Sequence, residues 1–412
     1  MAQSSTLDRD EHHGAVPRQR DAGGSSARKK KRKRGAPLWA KLTVTFGAVL
    51  MMVAGGALIG LRTVIGDLEG SIQVAEPGIL EAEPGAPAEP AGRALDGAFN
   101  VLLLGIDTRK GQDLNDARSD TIMVLHVNAA HDQAYLMSLP RDLLVEIPEF
   151  KKAKYPGDSE DLINAAFFHG AQHGGGWSGG LELAAKTVGK LTGLKFQSAA
   201  VIDFGGFRTV IDALGSVYMC VEADTKSIHT FVVNGTPTYV PKMSDGAEAA
   251  NYASRTGNKQ YVHKKGCREM AGWEALDFAR QRYTVADGAG DYGRQRHQQQ
   301  LIKAMAKKAG SAGVLADFGK VRELIQAAGK SMLLSLPAGM DVTDFLFTMK
   351  DLASADLVLL KTNAGYYKSV IVNGDYKGER LDKTTEEMFR AAKSDKLGNF
   401  VLINPQVVNN EK

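Results

Sequence analysis

The sequence predicts an α/β protein: an α-β-α sandwich with a mixed central sheet and helices on both faces, preceded by one transmembrane helix. Three observations carry this. Short apolar runs of strand length, "NVLLLGI" (100–106), "TIMVLHV" (121–127) and "QAYLMSL" (133–139), come first. Segments of helical periodicity ended by glycine follow, "LELAAKTVGKLTG" (181–193) and "FGGFRTVIDALG" (204–215). Strands and helices mixed in this way suit helices layered on a sheet. Ahead of them, Leu42–Leu61 runs for twenty residues without a charge, about the length that crosses a bilayer as a helix.

In chain order, residues 1–36 are polar and end in "RKKKRKR" (28–34), so they read as a disordered basic cytoplasmic tail. That run carries +7 of a net charge of +4, leaving −3 for the rest. The folded part is therefore no basic body, and nucleic acid is excluded as a partner. Residues 37–62 form the predicted transmembrane helix; a cleaved signal peptide is the rival, with a usual apolar core of only about 7–15 residues. Taken alone, "KKKRKR" could be a nuclear address, but beside a span it sets topology. The N-terminus is then cytoplasmic, the rest is extracytoplasmic, and the protein is a single-pass resident of the cell membrane. Residues 63–97 are Pro/Ala/Glu-rich and read as an extracytoplasmic stalk or linker, with a helix possible at Thr63–Val74. One globular domain spans 98–390, and 391–412 is a C-terminal tail.

Within the domain, "NAAHD" joins the second and third apolar runs as a tight turn, which predicts an antiparallel hairpin. "GWEALDFARQR" (272–282) and "DYGRQRHQQQLIKAMAKKAG" (291–310) are two further helices. "DLVLLKT" (356–362) is a buried strand, with "YYKSVIV" (366–372) as its partner. The glycine-rich run "HGGGWSGG" (173–180) lacks GxxxxGK[ST] and is no P-loop, and His169 and His173 have no matching metal ligands, so they read as a solvated loop. Two cysteines, Cys220 and Cys267, are too few for a disulfide scaffold; outside the cytosol they are expected to pair, inside it to be buried thiols.

The charges collect at one end. If the first run goes up, the second down and the third up, then Asp107, Arg118, Asp120 and Arg141 meet at one edge. Two close carboxylates repel and call for a proton or a cation. Mg²⁺ suits them, with Mn²⁺ as the alternative, since it takes one or two carboxylates and fills its shell with water and phosphate oxygens. The plainer reading is ordinary surface ion pairs with the arginines. Asp291, Arg294 and Gln298 share one face near a helix N-terminus, and Arg280 and Arg282 end the preceding helix. Arginine forks suit bidentate phosphate binding.

These segments, "NVLLLGIDTR", "ARSDTIMVLHVN", "YLMSLPRDLLVEIP", "INAAFFHGA", "LAAKTVGKLTGL", "VIDFGGFRTVIDALG" and "GWEALDFARQRYTVADGAGDYGRQRHQQQ", resemble the LytR–CpsA–Psr family in the same order over about residues 98–310. The resemblance makes 98–390 a catalytic domain. It implies a phosphotransferase that moves a glycopolymer from a polyprenyl-pyrophosphate carrier to peptidoglycan at the outer face of a bacterial membrane. It implies Asp107 and Asp120 as Mg²⁺ ligands and Arg118, Arg141, Arg280, Arg282 and Arg294 as pyrophosphate-binding residues. Asp291 and Gln298 match the acidic and amide positions beside them, and either Asp291 or Asp120 is a candidate base. Apolar faces of helices 181–193 and 204–215 would line a lipid tunnel. The chain departs from the family at Leu162, where a lysine is usual; Lys151, Lys152 and Lys154 are the candidates to replace it. The turn around Asp287 is also longer. Two other readings keep the resemblance: a polyprenyl-pyrophosphate phosphatase, and a non-enzymatic membrane-bound regulator of the cell envelope.

Overall fold

The computed structural model describes residues 73–76, 79–80, 97–107, 114–240, 245–282, 290–311, 318–337 and 356–409, with Met340, Val342 and Phe345. The predicted tail and span at 1–62 lie outside the described residues, among which no helix is long and apolar enough to cross a membrane.

In chain order the elements begin with β1 (Gln73–Val74), β2 (Phe99–Ile106), β3 (Ser119–Val127), β4 (Gln133–Leu139), β5 (Leu144–Ile147) and β6 (Asp158–Leu162). Then come α1 (Ala165–Ala171), α2 (Gly176–Thr192), β7 (Ser198–Asp203) and α3 (Phe204–Ala213). A second group comprises β8 (Val217–Val221), β9 (Thr225–Val233), β10 (Thr236–Tyr239), α4 (Gly246–Thr256), β11 (Lys259–His263) and β12 (Gly266–Met270). The chain returns through α5 (Gly272–Arg280), α6 (Gly290–Ser311), α7 (Phe318–Ala328), β13 (Met332–Ser335) and β14 (Asp356–Lys361). It ends with β15 (Ser369–Val372), β16 (Asp375–Glu379), α8 (Lys383–Lys393) and α9 (Leu397–Ile403).

Seven strands form the central mixed sheet in the order β1-β13-β7-β2-β3-β4-β14. The meander β2–β3–β4 is antiparallel throughout, as the apolar runs and the polar turn predict. Asn128 closes that turn: its amide donates to Asp132 (2.7 Å) and its Oδ1 accepts from the Gln133 N–H (3.1 Å). Strand alternation sorts the two faces. Leu102, Leu104, Ile122, Val124, Met137 and Leu139 point into the main core with Leu181, Leu183 and Val188 of α2 and Phe389 of α8. Met123 and Leu136 point the other way, towards Ile302 of α6. Helices thus cover both faces, and the α-β-α expectation stands.

Several expectations are corrected. Residues 366–372 do not pair with 356–361: β14 runs parallel to β4, and β15 folds back on β16. Between them Asn363 and Ala364 take positive φ angles, 52° and 51°, which turns the chain away from the sheet. The glycine run is a loop only in part: 173–175 form a turn with His173 exposed, but α2 begins at Gly176. Its glycines permit backbone contact with α1: a Cβ at Gly179 would lie 2.4 Å from the Gly170 carbonyl oxygen. His169 is not solvated; it bonds Asp161 (3.0 Å) and stacks on Tyr155 (4.2 Å). Within the predicted stalk, Gln73–Val74 is a strand against β13 and not part of a helix, and Ala75 and Ile79 are buried in the main core. The predicted C-terminal tail carries α9, and its Leu397 and Val407 are core residues.

Candidate active site

The sheet builds one charged edge. β7 runs parallel to β2, with Ile106 opposite Asp203, and β14 runs parallel to β4, with Lys361 opposite Ser138. The C-terminal ends of β2, β4, β7 and β14 therefore lie along one edge with the start of β3, where open α/β sheets bind ligands. The β2–β3 ladder is irregular there. Gly105 faces Thr121, but Ile106 faces Ser119, so Asp120 is the extra residue of a bulge. Bulges re-aim side chains at such sites. Arg141 follows Leu139 and Pro140 at the end of β4, and α5 and α6 bring the remaining arginines.

Contacts join these groups directly. Arg141 Nη1 donates to Asp120 Oδ1 at 2.5 Å, and its Nε lies 3.7 Å from Asp142 and 4.0 Å from Asp291. Arg294 pairs with Asp291 Oδ1 at 2.7 Å and donates to the Asp120 carbonyl at 3.0 Å. Arg280 reaches Asp107 at 3.3 Å and lies over the Phe204 ring at 4.3 Å. The charge of Arg282 acts on both Asp120 and Asp142. Arg118 is more peripheral: it donates to Asn164 Oδ1 (3.3 Å) and sits 5.7 Å from the centre of the Phe168 ring. The pairs foreseen as surface decoration do form, but they are recessed, with Arg294 and Asp291 side chains 7% and 10% exposed.

Burial and charge set the protonation. Burial pushes the Asp120 carboxyl up, but Arg141, Arg294 and Arg282 together outweigh it and hold it below its ordinary value. For Asp142 burial wins, helped by Asp291, and its carboxyl is raised despite Arg141. Some polar atoms are left over. The Nε–H groups of Arg141 and Arg294 and the Oε1 of Gln298 are buried without a hydrogen-bond partner among the described residues. Such groups are rare in native proteins and call for a missing partner. A guanidinium Nε–H is satisfied by an anion's oxygen or by water.

Sequence reading missed a second group at this edge. The Tyr367 hydroxyl accepts from the Asp291 N–H (2.7 Å), and Gly290 makes room, since a Cβ there would lie 2.2 Å from that oxygen. Tyr292 donates to buried Glu379 (2.8 Å) and accepts from the Asn363 amide (3.0 Å). The Glu379 N–H donates to the Asp142 carbonyl (2.8 Å). No motif announces these residues, which come from distant parts of the chain. Other predicted groups fall elsewhere. Lys152 is drawn to Glu182 (2.8 Å), and Asp287 lies outside the described residues. The apolar residues of α2 fill the main core, whereas Ile211 of α3 packs with β8, β12 and α5, so the two helices share no common lining. Cys220 and Cys267 face each other across β8 and β12 and are joined by a disulfide.

Asp107 and Asp120 offer the hard oxygen donors that Mg²⁺ or Mn²⁺ takes, from adjacent strand ends. Among the described residues no three His, Cys, Asp or Glu side chains gather to enclose a metal. Both carboxylates are engaged by arginines, Asp107 by Arg280 and Asp120 by Arg141.

The LytR_cpsA_psr family model matches residues 81–391. A teichoic acid transferase of Oceanobacillus iheyensis, polyisoprenyl-teichoic acid–peptidoglycan teichoic acid transferase TagU, is 30% identical over 228 residues, 55% of this chain and 57% of that protein. Regulatory protein MsrR of Staphylococcus aureus is 30% identical over 234 residues, 57% of this chain and 54% of that protein. The matched region is thus little more than half the length of these curated relatives. The fold is similar to B. subtilis TagT, with a TM-score of 0.52 at 20% identity, covering 79% of this chain and 99% of that one. TagT bound to LIIa-WTA gives 0.52 at 22% identity, covering 76% and 97%. Matched across most of its length, this chain belongs to the LytR–CpsA–Psr family.

Proposed function

We propose that this protein is a membrane-anchored, extracytoplasmic phosphotransferase that moves a glycopolymer from a polyprenyl-pyrophosphate carrier to peptidoglycan. The observation that carries the proposal is the recessed arginine cluster with buried, unpaired Nε–H donors. A pyrophosphate diester supplies the missing acceptors. The name of TagU, a polyisoprenyl-linked teichoic acid–peptidoglycan transferase, supports the same chemistry, and TagT has been solved bound to LIIa-WTA.

In this reading Arg141, Arg280, Arg282 and Arg294 hold the two phosphates, with Arg118 at the rim. Asp107 and Asp120 would hold Mg²⁺ or Mn²⁺, which when bound neutralises phosphate charge. A peptidoglycan hydroxyl attacks the phosphorus nearer the sugar, the bond to the bridging oxygen breaks, and polyprenyl phosphate leaves with that oxygen. Such transfer depends on positioning and charge stabilisation and asks for no protein nucleophile. Asp142 is the carboxylate best suited to take the hydroxyl proton. Its proton affinity is raised by burial, and its nearest guanidinium atom is 3.7 Å away, whereas Asp120 and Asp291 are held at 2.5 and 2.7 Å.

The test uses full-length protein in vesicles with lipid-pyrophosphate-linked polymer and peptidoglycan, and measures polymer bound to the insoluble wall. Asp120→Asn and Arg294→Ala should abolish transfer while the fold persists. Wall-linked product from both variants at the native rate would refute the site. A regulatory reading rests on the name of MsrR; it is favoured if lipid pyrophosphate binds without turnover, and a phosphatase if polyprenyl phosphate is released equally without peptidoglycan.

A further inference from the structure

A cavity of about 860 Å³ lies on the other side of α6, and none of the clustered arginines or aspartates lines it. Its walls include Lys361, Arg296, Lys265, Tyr366, Tyr367 and Tyr292. Two features mark it. The first is aromatic exposure: Tyr366 is 71% and Tyr367 45% exposed, although both are large apolar rings at a concave surface. Rings that stay uncovered in a cleft offer flat faces to a flat, partly apolar ligand while their hydroxyls remain wet.

The second feature is charge. Lys361 is half-buried at the end of β14 and has no carboxylate partner among the described residues. Burial and the nearby charge of Arg296 both work against its proton. The acid on this wall does not offset it: Glu222 is spent on Arg296 (2.9 Å) and His297 (3.0 Å). The cavity therefore presents cationic and aromatic groups together. A chain of amino sugars bearing carboxylates has the matching chemistry, with C–H faces for the tyrosines and an anion for Lys361.

The cavity also adjoins the phosphate-binding cluster. Tyr367 lines the cavity and takes the Asp291 N–H, and Tyr292 lines it and bonds Glu379. We propose that this cavity is the acceptor subsite, which binds a carboxylate-bearing amino-sugar strand of peptidoglycan and leads its hydroxyl around the N-terminal end of α6, past Tyr367, to the arginine edge. The assignment rests on the phosphotransferase reading for its role, but its binding can be tested apart from turnover.

The experiment titrates the full-length protein with a peptide-free peptidoglycan tetrasaccharide carrying its carboxylates, and with the uncharged chitin tetrasaccharide. The carboxylated sugar should bind about tenfold more tightly, the worth of one charge-assisted contact. Lys361→Met should remove that preference, and Tyr366→Ala, an exposed position, should weaken both sugars. Arg208→Ala, whose exposed pair with Asp212 lies outside the cavity, should leave both affinities unchanged. Equal binding of the two sugars by the native protein, or a preference that survives Lys361→Met, overturns the proposal. Native protein that shows the preference but transfers no polymer would fault the phosphotransferase reading and leave the binding site standing.

Discussion

Arg294→Lys separates charge from geometry at the proposed site. One guanidinium nitrogen, Nη2, meets both Asp291 Oδ1 at 2.7 Å and the Asp120 carbonyl at 3.0 Å, while the buried Nε–H has no acceptor among the described residues. A lysine keeps the charge and can hold Asp291, but its single ammonium has no second nitrogen to stand in for the buried Nε–H. The fold loses one hydrogen bond, about 1 kcal/mol, which lowers Tm by only a few degrees, about 2–4 °C for a domain of this size. Transfer loses an oriented donor aimed at developing phosphate charge, which costs about 10²–10³-fold in kcat, or roughly 3–4 kcal/mol. The assay is wall-linked polymer per unit time at saturating lipid substrate, with thermal unfolding measured on the same preparation. Arg208→Lys serves as the control, since its pair with Asp212 is exposed and worth little. A folded Arg294→Lys protein that turns over within about threefold of native would refute the argument that the fork is aimed at phosphate.

Three further outcomes follow from the same structure. Asp107→Asn should weaken Mn²⁺ binding, read by electron paramagnetic resonance, by about tenfold or more, and unchanged affinity would remove Asp107 from the metal site. Replacing both cysteines by serine opens a closed loop with a sequence separation of 47. Up to about 4 kcal/mol should be lost in urea unfolding, with the arginine edge intact and lipid-pyrophosphate binding retained. His263 is fully buried against Asp277 (2.7 Å), and although burial alone disfavours its charge, Asp277 and Glu274 raise its pKa. The stability it adds is present below the ordinary histidine value and fades as pH rises through the raised one. The Tm gap to His263→Asn should thus be widest on the acid side of the ordinary histidine value, and should narrow as pH rises through the raised one.

The meander was legible because its signals are local: apolar runs of strand length, and an Asn/Asp turn that closes on itself. That meander alone places Asp107, Asp120 and Arg141 at one edge, so the acidic and basic groups could be foreseen across 35 positions of sequence. Residues 176–180 were misread because glycine disfavours helices in isolation. Here the loss is offset by the contact of Gly179 with Gly170, a tertiary effect that no window of sequence contains. The strands of 217–270 carry half-exposed, polar sequences such as "TPTY" at β10, and β9 pairs with β11 across the intervening α4. The Tyr292, Tyr367, Glu379 and Asp142 group joins positions up to 237 residues apart, which is beyond any spacing rule.

The polar run "RQRHQQQ" on α6 illustrates how composition can mislead about burial. Three glutamines in a row read as a solvated face, yet Gln299 is fully buried. Its amide donates to the Leu136 carbonyl (3.1 Å), Ser138 Oγ (2.8 Å) and the Leu360 carbonyl (2.8 Å), and its Oε1 accepts from the Asn409 amide. Gln295 likewise donates to Asp291 Oδ2 (3.0 Å). Gln299 rivets the helix to the sheet, and Gln295 braces Asp291 from one turn along the same helix. Gln298 departs from this pattern on the face that bears Arg294, for its buried Oε1 has no partner among the described residues. Gln300 Oε1 is open as well among the described residues, so two glutamines of α6 are closed by protein and two keep an open oxygen. Of those two, Gln298 is the one that shares a face with Arg294, so an open acceptor and the open Nε–H stand one helical turn apart on the side turned to the charged edge.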